Sequence, residues 1–130
     1  LGGYKNDYRI RVSETKRLNN SIFSFFCTKN KIDESLILGE IRQITKKNKL
    51  ETRESGSILH EISLIACGKI DCLFFSTLEN DINNQIYLIL SETGGVFYEF
   101  ELKNKKICMA SNKYIGKIIK EMIENNYEDQ

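Results

Sequence analysis

Four cysteines and one histidine are the side chains best suited to bind a transition metal. The cysteines Cys27, Cys67, Cys72 and Cys108 show no C-x-x-C spacing, and His60 is the single histidine. A structural zinc site usually takes four such ligands in closely spaced pairs, so this pattern argues against one. A disulfide between the second and third cysteines is also disfavoured, because five residues across a helix end and a strand seldom give the required geometry. We therefore expect buried free thiols in a reducing cytosol.

Other reactive or charged groups have simpler structural explanations. His60 stands beside Glu61 with no nucleophile nearby in sequence, so we expect it to pack or to face solvent. The lysine-rich run 103–106 is more typical of a solvated turn than of a phosphate clamp. The aromatic residues of 4–8 and 23–26 lack an accompanying basic stripe, which indicates strand packing and not base stacking. The sequence thus gives no direct signal for nucleic-acid binding.

Size and charge indicate one ordinary globular domain over residues 1–130. The chain has 41% hydrophobic and 28% charged residues, and 19 basic against 18 acidic side chains leave a net charge of +1. Charge alone therefore proposes neither a nucleic-acid nor a membrane surface. The longest strongly apolar run, Ile86 to Leu90, is far shorter than the ~20 residues that cross a bilayer, and nothing resembles a signal peptide. We expect a soluble, cytoplasmic protein.

Hydrophobic periodicity predicts an α/β fold with a mixed sheet layered between helices. Alternating or continuous apolar runs predict strands, and apolar residues three and four apart predict helices. A short strand is expected before the second helix. The predicted strands are otherwise 8–12, 21–27, 70–75, 96–102 and 107–110, and the predicted helices are 33–47, 57–67, 113–125 and one with an apolar stripe over 82–90 that ends at 93–95.

Four stretches carry a resemblance to a known family. They are Gly2–Ser13, similar to G-x-x-x-N-x-x-x-I-x-V-S; Arg53–Ser57 with Ala66–Asp71, similar to R-x-x-G-S and A-A-G-R-x-D; Glu92–Val96, similar to E-A-G-G-V; and Ala110–Asn112, similar to A-A-N. Each motif alone is weak, but their order and spacing span nearly the whole chain. Together they resemble the C-terminal half of the inositol monophosphatase family, of the SuhB type.

The resemblance implies an alternating α-β-α-β-α architecture whose second half is this chain, with residues 1–13 a remnant of the preceding sheet. The chain starts at Leu1, inside a strand-like sequence, so we expect a fragment of a longer protein. In the family, Mg²⁺ ions lie between the halves and are held mostly by carboxylates of the first half, including a D-P-x-D-G-T motif that is absent here. We therefore expect this chain alone to bind no Mg²⁺ and to be inactive.

The resemblance also indicates two positions at which this chain lacks a ligand of the family, one for the metal and one for the substrate. Counting from Asp71 and from Glu92 places the metal-binding Asp of W-D-x-A-A-G at Ile82. Asp81 is one residue early, which turns its side chain by about 100° around a helix axis. Either it caps the helix or a shifted helix start restores metal binding. Phe75 stands where the family often has an acid that binds a sugar hydroxyl. The resemblance thus implies a degraded site.

One binding element implied by the resemblance remains. In the family the backbone N–H groups of the turn that opens a helix here, at Gly56, Ser57 and Ile58, face the sugar and the phosphate. Gly56 allows close approach of the backbone. In the structural alternative, Ser55 or Ser57 caps the helix and Arg53 forms an ion pair.

Two functions remain open, beside the possibility that the chain is a stable proteolytic remnant with no independent role. The resemblance implies a C-terminal portion of a Mg²⁺-dependent phosphomonoesterase that acts on inositol or sugar phosphates and pairs as a homodimer. The alternative is a non-catalytic regulatory module that contacts the transcription machinery, as SuhB-like proteins do.

Overall fold

A computed structural model describes residues 3–5, 8–26, 41, 43, 51–54, 58–76 and 80–127. Its strands are β1 (Gly3–Lys5), β2 (Tyr8–Ile10), β3 (Ile22–Phe26), β4 (Glu51–Glu54), β5 (Cys72–Ser76), β6 (Val96–Leu102) and β7 (Lys105–Ser111). Its helices are α1 (Ile58–Ala66), α2 (Asn80–Thr93) and α3 (Lys113–Tyr127), with a 3₁₀ turn at Leu18–Asn20. The predicted helix 33–47 lies outside the described residues except for Ile41 and Gln43, which are both helical.

Five strands form one mixed sheet in the order β4-β3-β5-β7-β6. The first three strands of that order are parallel, and β7 pairs antiparallel with both β5 and β6. Strands β1 and β2 form a separate antiparallel pair. The predicted α/β fold with a mixed sheet is therefore confirmed.

Helices cover both faces of the five-stranded sheet. On one face, Phe23, Phe74 and Met109 pack with Ile115 and Ile119 of α3. On the other face the strands pack against α1 and α2, and this second cluster consists of Ile62, Ile65, Ile70, Leu73, Phe75, Ile86, Leu90, Cys108 and Ala110. Side chains alternate between the faces of a strand, so neighbouring residues of β5 enter different clusters. The apolar run of β5 is buried on both faces, as its sequence predicted.

Several element boundaries differ from the predicted ones, and two of these differences have identifiable reasons. Strand β2 ends at Ile10, because the Val12 N–H donates to the Thr93 carbonyl (3.0 Å) instead of continuing a strand ladder. The predicted turn 103–106 is shorter than expected. Of these four residues, only Lys103 and Asn104 have positive φ (51° and 65°), and the next two lysines already belong to β7.

Two of the three described cysteines are the buried free thiols that we predicted, whereas the predicted burial is wrong for Cys67. Cys72 and Cys108 are buried, Cys67 is exposed, and none of the three forms a disulfide. Burial raises the pKa of the Cys72 thiol well above its ordinary value, by more than the hydrogen bond with Ser111 lowers it. Cys27 lies outside the described residues. Within the described ranges, no helix combines the length and the apolar character that a membrane span requires.

Candidate functional site

The candidate site lies where the parallel strands end. Strands β4, β3 and β5 are adjacent and parallel, so their carboxyl ends meet at one edge of the sheet. Helix α1 follows β4 and helix α2 follows β5, which places both helix N-termini at this edge. Helix N-termini carry free N–H groups and a partial positive charge, and ligands of such sheets bind outside the carboxyl ends of the strands. We name this region the carboxyl edge.

The predicted substrate-binding turn lies at the start of α1. Ile58 is the first residue of that helix and is half-buried. Gly56 and Ser57 lie outside the described residues, so their contact with a substrate stays a prediction. The direction of α1 is nevertheless fixed, because Glu61 in its first turn bonds to Ser24 within β3, whereas Asp71, which follows the helix, bonds to Ile22 at the amino end of β3. The N-terminus of α1 is therefore held at the carboxyl edge.

Asp81 and Ile82 lie in the first turn of α2. The helix begins at Asn80, so Asp81 is inside it and not at its cap, and its side chain is exposed. A carboxylate in the first turn is favoured by the helix dipole. Ile82 is half-buried and packs against the apolar cluster between the sheet and α1 and α2. An apolar contact thus occupies the position where the resemblance implies a metal ligand, and metal binding by Asp81 stays a prediction.

Phe75 belongs to the core. It is fully buried on the α1 and α2 side of the sheet. Its ring lies 5.8 Å from that of Phe97 at an interplanar angle of 70°, a favourable edge-to-face arrangement. The position that the resemblance assigns to a sugar-binding acid therefore contributes packing in this chain.

The described residues do not fit a magnesium site. Mg²⁺ prefers several oxygen ligands in octahedral geometry. Within the part of the chain that the structure describes, no group of three or more His, Cys, Asp or Glu side chains is placed to hold a metal ion. A cation at the carboxyl edge would need oxygen donors from elsewhere, so we assign no catalytic step to one.

Glu61, a buried acidic residue of α1, was not assigned a role from the sequence. Glu61 and Ser24 are both fully buried, and the Ser24 hydroxyl donates to Oε1 of Glu61 (2.5 Å). This bond ties the first turn of α1 to β3. The local sequence showed only that Glu61 adjoins His60. The His60 side chain is exposed, which is one of the two outcomes that we predicted for it.

Residues of three motifs meet at the amino ends of the parallel strands, opposite the carboxyl edge. The Ser13 hydroxyl donates to Oδ1 of Asp71 (2.5 Å), and Nδ2 of Asn112 donates to the Ser13 oxygen (2.8 Å). The other Asp71 oxygen accepts the N–H of Ile22 (2.7 Å), and Oδ1 of Asn112 accepts the N–H of Ile115 in α3 (2.8 Å). We name Ser13, Asp71 and Asn112 the motif cluster. It joins the N-terminal segment, β3 and the start of α3.

The glycine motif after α2 joins the same region. A side chain at Gly95 would lie within about 3.0 Å of Val12 and of the Ser111 carbonyl oxygen, so glycine permits this close approach. Parts of all four motifs therefore pack together at the amino end of β5. The residues that match the motifs hold the fold there, whereas Phe75 and Ile82, nearer the carboxyl edge, are the two positions at which the resemblance implies missing ligands.

The fold is that of known phosphatases. This chain matches about half the length of each of the structures compared below. The structure is similar to that of an inositol monophosphatase from Anabaena (Nostoc) sp. PCC 7120, with a TM-score of 0.75, 22% identity, and coverage of 96% of this chain and 51% of that one. It is also similar to the extragenic suppressor protein SuhB from Bartonella henselae, with a TM-score of 0.71, 22% identity, and coverage of 91% and 46%.

Sequence similarity agrees with the structural likeness. The chain is 24% identical over 130 residues to an inositol monophosphatase from Dictyostelium discoideum, covering 95% of this chain and 48% of that protein. No family model matches the chain. The resemblance is confirmed and is consistent with the C-terminal half of an inositol monophosphatase, and the chain spans about half the length of the curated relative it matches.

Proposed function

We propose that this chain forms the C-terminal half of an inositol monophosphatase-type phosphomonoesterase that acts on inositol or sugar phosphates. The observation that carries the proposal is the carboxyl edge, where the N-termini of α1 and α2 lie together in the fold shared with these phosphatases. The phosphate is proposed to bind at the backbone N–H groups that open α1, around Gly56, Ser57 and Ile58.

An exposed apolar face supports the proposal that a further layer covers the helices. Leu59 of α1 is 67% exposed, and Tyr87 and Leu88 of α2 are 61% and 58% exposed. Strand β1 contacts α2, and an isolated pair of strands such as β1 and β2 is marginally stable in water. We propose that these two strands belong to the sheet of the other half of the molecule, which lies over this face and supplies most of the Mg²⁺ ligands.

The direct test is phosphate release by the complete protein. Purified protein is incubated with inositol 1-phosphate, with and without Mg²⁺, and inorganic phosphate is measured. We expect Mg²⁺-dependent release, suppressed by Li⁺, from the complete protein and none from residues 1–130 alone. Release from residues 1–130 alone would overturn the proposed dependence on the other half.

A second test concerns the missing ligand in α2. Ile82→Asp restores a carboxylate at the position that the resemblance assigns to a metal ligand, and Gln85→Asp places one on an exposed position of the same helix. We expect the first variant of the complete protein to bind Mg²⁺ about tenfold more tightly by calorimetry and the second to leave the affinity unchanged. Equal affinities for the two variants would show that the assigned register is wrong or that Asp81 already serves as ligand.

A non-catalytic module is the second candidate, favoured by the apolar residues at Phe75 and Ile82. In this alternative the fold is retained for contact with the transcription machinery. The complete protein would release no phosphate under the conditions above and would bind purified RNA polymerase elongation complexes saturably in biolayer interferometry. Phosphate release without such binding would exclude it.

A further inference from the structure

Within the part of the chain that the structure describes, no strand pairs with the outer edge of β6. This strand stands at one end of the five-stranded sheet and pairs with β7 alone among the described strands. It is seven residues long, which makes it one of the two longest strands described. An edge strand offers backbone N–H and C=O groups to another extended segment, and proteins use this edge for peptide recognition by strand addition.

Cavities flank this edge on both faces of the sheet. A cavity of about 750 Å³ lies between β6 and α3, and its apolar lining includes Phe100, Leu102 and Ile123. A cavity of about 250 Å³ lies between β6 and the end of α2, lined by Tyr87, Leu90, Ser91, Gly95, Val96, Phe97 and Tyr98. Tyr98 borders both cavities. Because side chains of an added strand alternate between faces, both cavities are within reach of one extended peptide.

Acidic side chains flank the edge of β6 on both faces of the sheet. Glu121 and Glu124 of α3 line the larger cavity, whereas Glu99 and Glu101 alternate with Phe100 and Leu102 along β6 and so lie on the other face. All four glutamates are exposed. Lys120 of α3 reduces their combined charge from −4 to −3. Its Nζ lies 4.0 Å from Glu124 and 5.4 Å from the centre of the Tyr98 ring. We name these four glutamates the acidic rim.

We propose that the outer edge of β6 is a docking site for an extended peptide that carries both apolar and basic residues. The peptide pairs with the backbone of β6 as a sixth strand. Its apolar side chains enter the cavities beside Tyr98, and its lysines or arginines face the acidic rim. Charge complementarity fixes the class of partner, since apolar contacts alone would accept peptides of any charge.

A second copy of the chain fits this edge less well. Antiparallel pairing of β6 with another β6 would bring Glu99 and Glu101 close to the same residues of the partner copy. Like charges across paired strands are destabilising. Exposed charges are also a common means by which edge strands avoid self-pairing.

Peptide binding to the complete protein tests this docking site. The probe is a fluorescent octapeptide that repeats Val-Val-Lys-Lys, which presents one valine and one lysine to each face of the sheet per repeat. The control repeats Val-Val-Glu-Glu. We expect saturable binding of the basic peptide by fluorescence anisotropy, at least about tenfold tighter than that of the acidic peptide and weaker at high salt. Hydrogen exchange of the amides in 96–102 should slow when the basic peptide binds.

Matched charge reversals separate the acidic rim from the overall charge. Glu121 and Glu124 lie on the exposed face of α3. The substitutions Glu121→Lys and Glu124→Lys should each weaken binding of the basic peptide about fivefold. Glu14→Lys changes the net charge equally at an exposed position of the N-terminal segment, and it should change affinity less than about twofold. All three variants should retain the parent far-UV spectrum and melting temperature.

Three results would overturn the proposal. The first is no saturable binding of the basic peptide at about 1 mM. The second is equal weakening by Glu14→Lys and by the rim variants, which would indicate nonspecific attraction. The third is a dimer in sedimentation experiments that the peptide dissociates, which would assign the edge to a second copy. These readouts do not depend on phosphatase activity.

Discussion

Asp71 accepts hydrogen bonds from two segments that are far apart in sequence. It is 5% exposed, and Ser13, which donates to it, lies 58 residues away. The carboxylate also receives the N–H of Ile22. Removing it would leave two partly buried donors, the Ser13 hydroxyl and the Ile22 N–H, without this acceptor, which costs more than the net value of the bonds themselves.

Asp71→Ala is therefore expected to lower the free energy of unfolding by about 3 kcal/mol. Urea denaturation followed by circular dichroism measures this loss. Asp81→Ala, at an exposed position of α2, serves as the control and should stay within about 0.5 kcal/mol of the parent. An effect of the same size for both variants would mean that the motif cluster does not hold the edge together.

The Cys72 thiol makes stability depend on pH in the alkaline range. Burial raises its pKa in the folded chain above the ordinary value of 9.0, so the unfolded chain loses this proton first as pH rises. The unfolded chain then binds fewer protons than the folded chain, and stability falls with rising pH. The contribution of Cys72 is fully present below about pH 9 and is lost progressively above it.

A comparison with Cys72→Ala isolates this effect. Between pH 8 and pH 10 we expect the parent to lose about 1 kcal/mol more stability than the variant, measured by urea denaturation at each pH. All other side chains are common to both proteins, so their contributions cancel in the difference. Parallel pH profiles would show that the thiol is not protected in the folded chain.

At the scale of elements, α3 approaches the sheet closely at a helical glycine. A Cβ at Gly116 would lie 2.8 Å from Cγ2 of Val96 and 3.4 Å from Ser111. Alanine usually stabilises a helix interior relative to glycine by up to about 1 kcal/mol. Here the steric clash opposes that gain, because a valine side chain is short and stiff.

Gly116→Ala is expected to destabilise the chain by about 1 kcal/mol net. In the background Val96→Ala, the contact is removed and the same substitution should become neutral or stabilising. Thermal unfolding of the four proteins of this double-mutant cycle gives the coupling between the two positions. A stabilising Gly116→Ala in the parent would show that α3 shifts to accept the methyl group.

The turn between β6 and β7 contains a residue poorly suited to its backbone, Lys103. Lys103 and Asn104 both have positive φ, a conformation for which Asn-Gly is preferred in two-residue hairpin turns. The double substitution Lys103→Asn with Asn104→Gly should stabilise the protein by about 0.5 kcal/mol or more. Lys106→Asn, in the adjacent strand, is the control and should not stabilise. A loss of stability in the turn variant would indicate that Lys103 contributes a contact worth more than the backbone strain.

Sequence patterns predicted these elements well because each depends on local spacing. The strand 96–102 and the starts of β7 and α3 follow from alternation, a polar turn and helical periodicity, and they lie within about two residues of their predicted positions. The motif cluster and the Ser24 to Glu61 bond were not predictable in this way, since their members are 37 to 99 residues apart. Gly116 likewise carries no local signal of its contact with Val96.

At the scale of the whole molecule, the exposed apolar residues on the outer face of α1 and α2 allow a test of whether a further layer covers residues 1–130. Leu88 is 58% exposed here. Leu88→Glu should change the stability of residues 1–130 by less than about 0.5 kcal/mol, because the side chain is in contact with solvent. In the complete protein it should cost about 2 kcal/mol, because the proposed layer would bury it.

The matched control is Gln85→Glu in the same helix, which should be neutral in both forms. Denaturation of the two lengths side by side gives the comparison. If Leu88→Glu is neutral in the complete protein as well, nothing covers this face, and the proposal of a second half packed upon it is wrong.

The separation between the motif cluster and the carboxyl edge has a consequence for the history of this protein. The motif cluster stabilises the fold at the end of the sheet opposite the proposed substrate site, so substitutions at that site would disturb the fold little. A descendant can therefore abandon turnover while its architecture persists under selection for something else. Scaffold residues such as these therefore indicate the ancestry of a protein more reliably than its present activity.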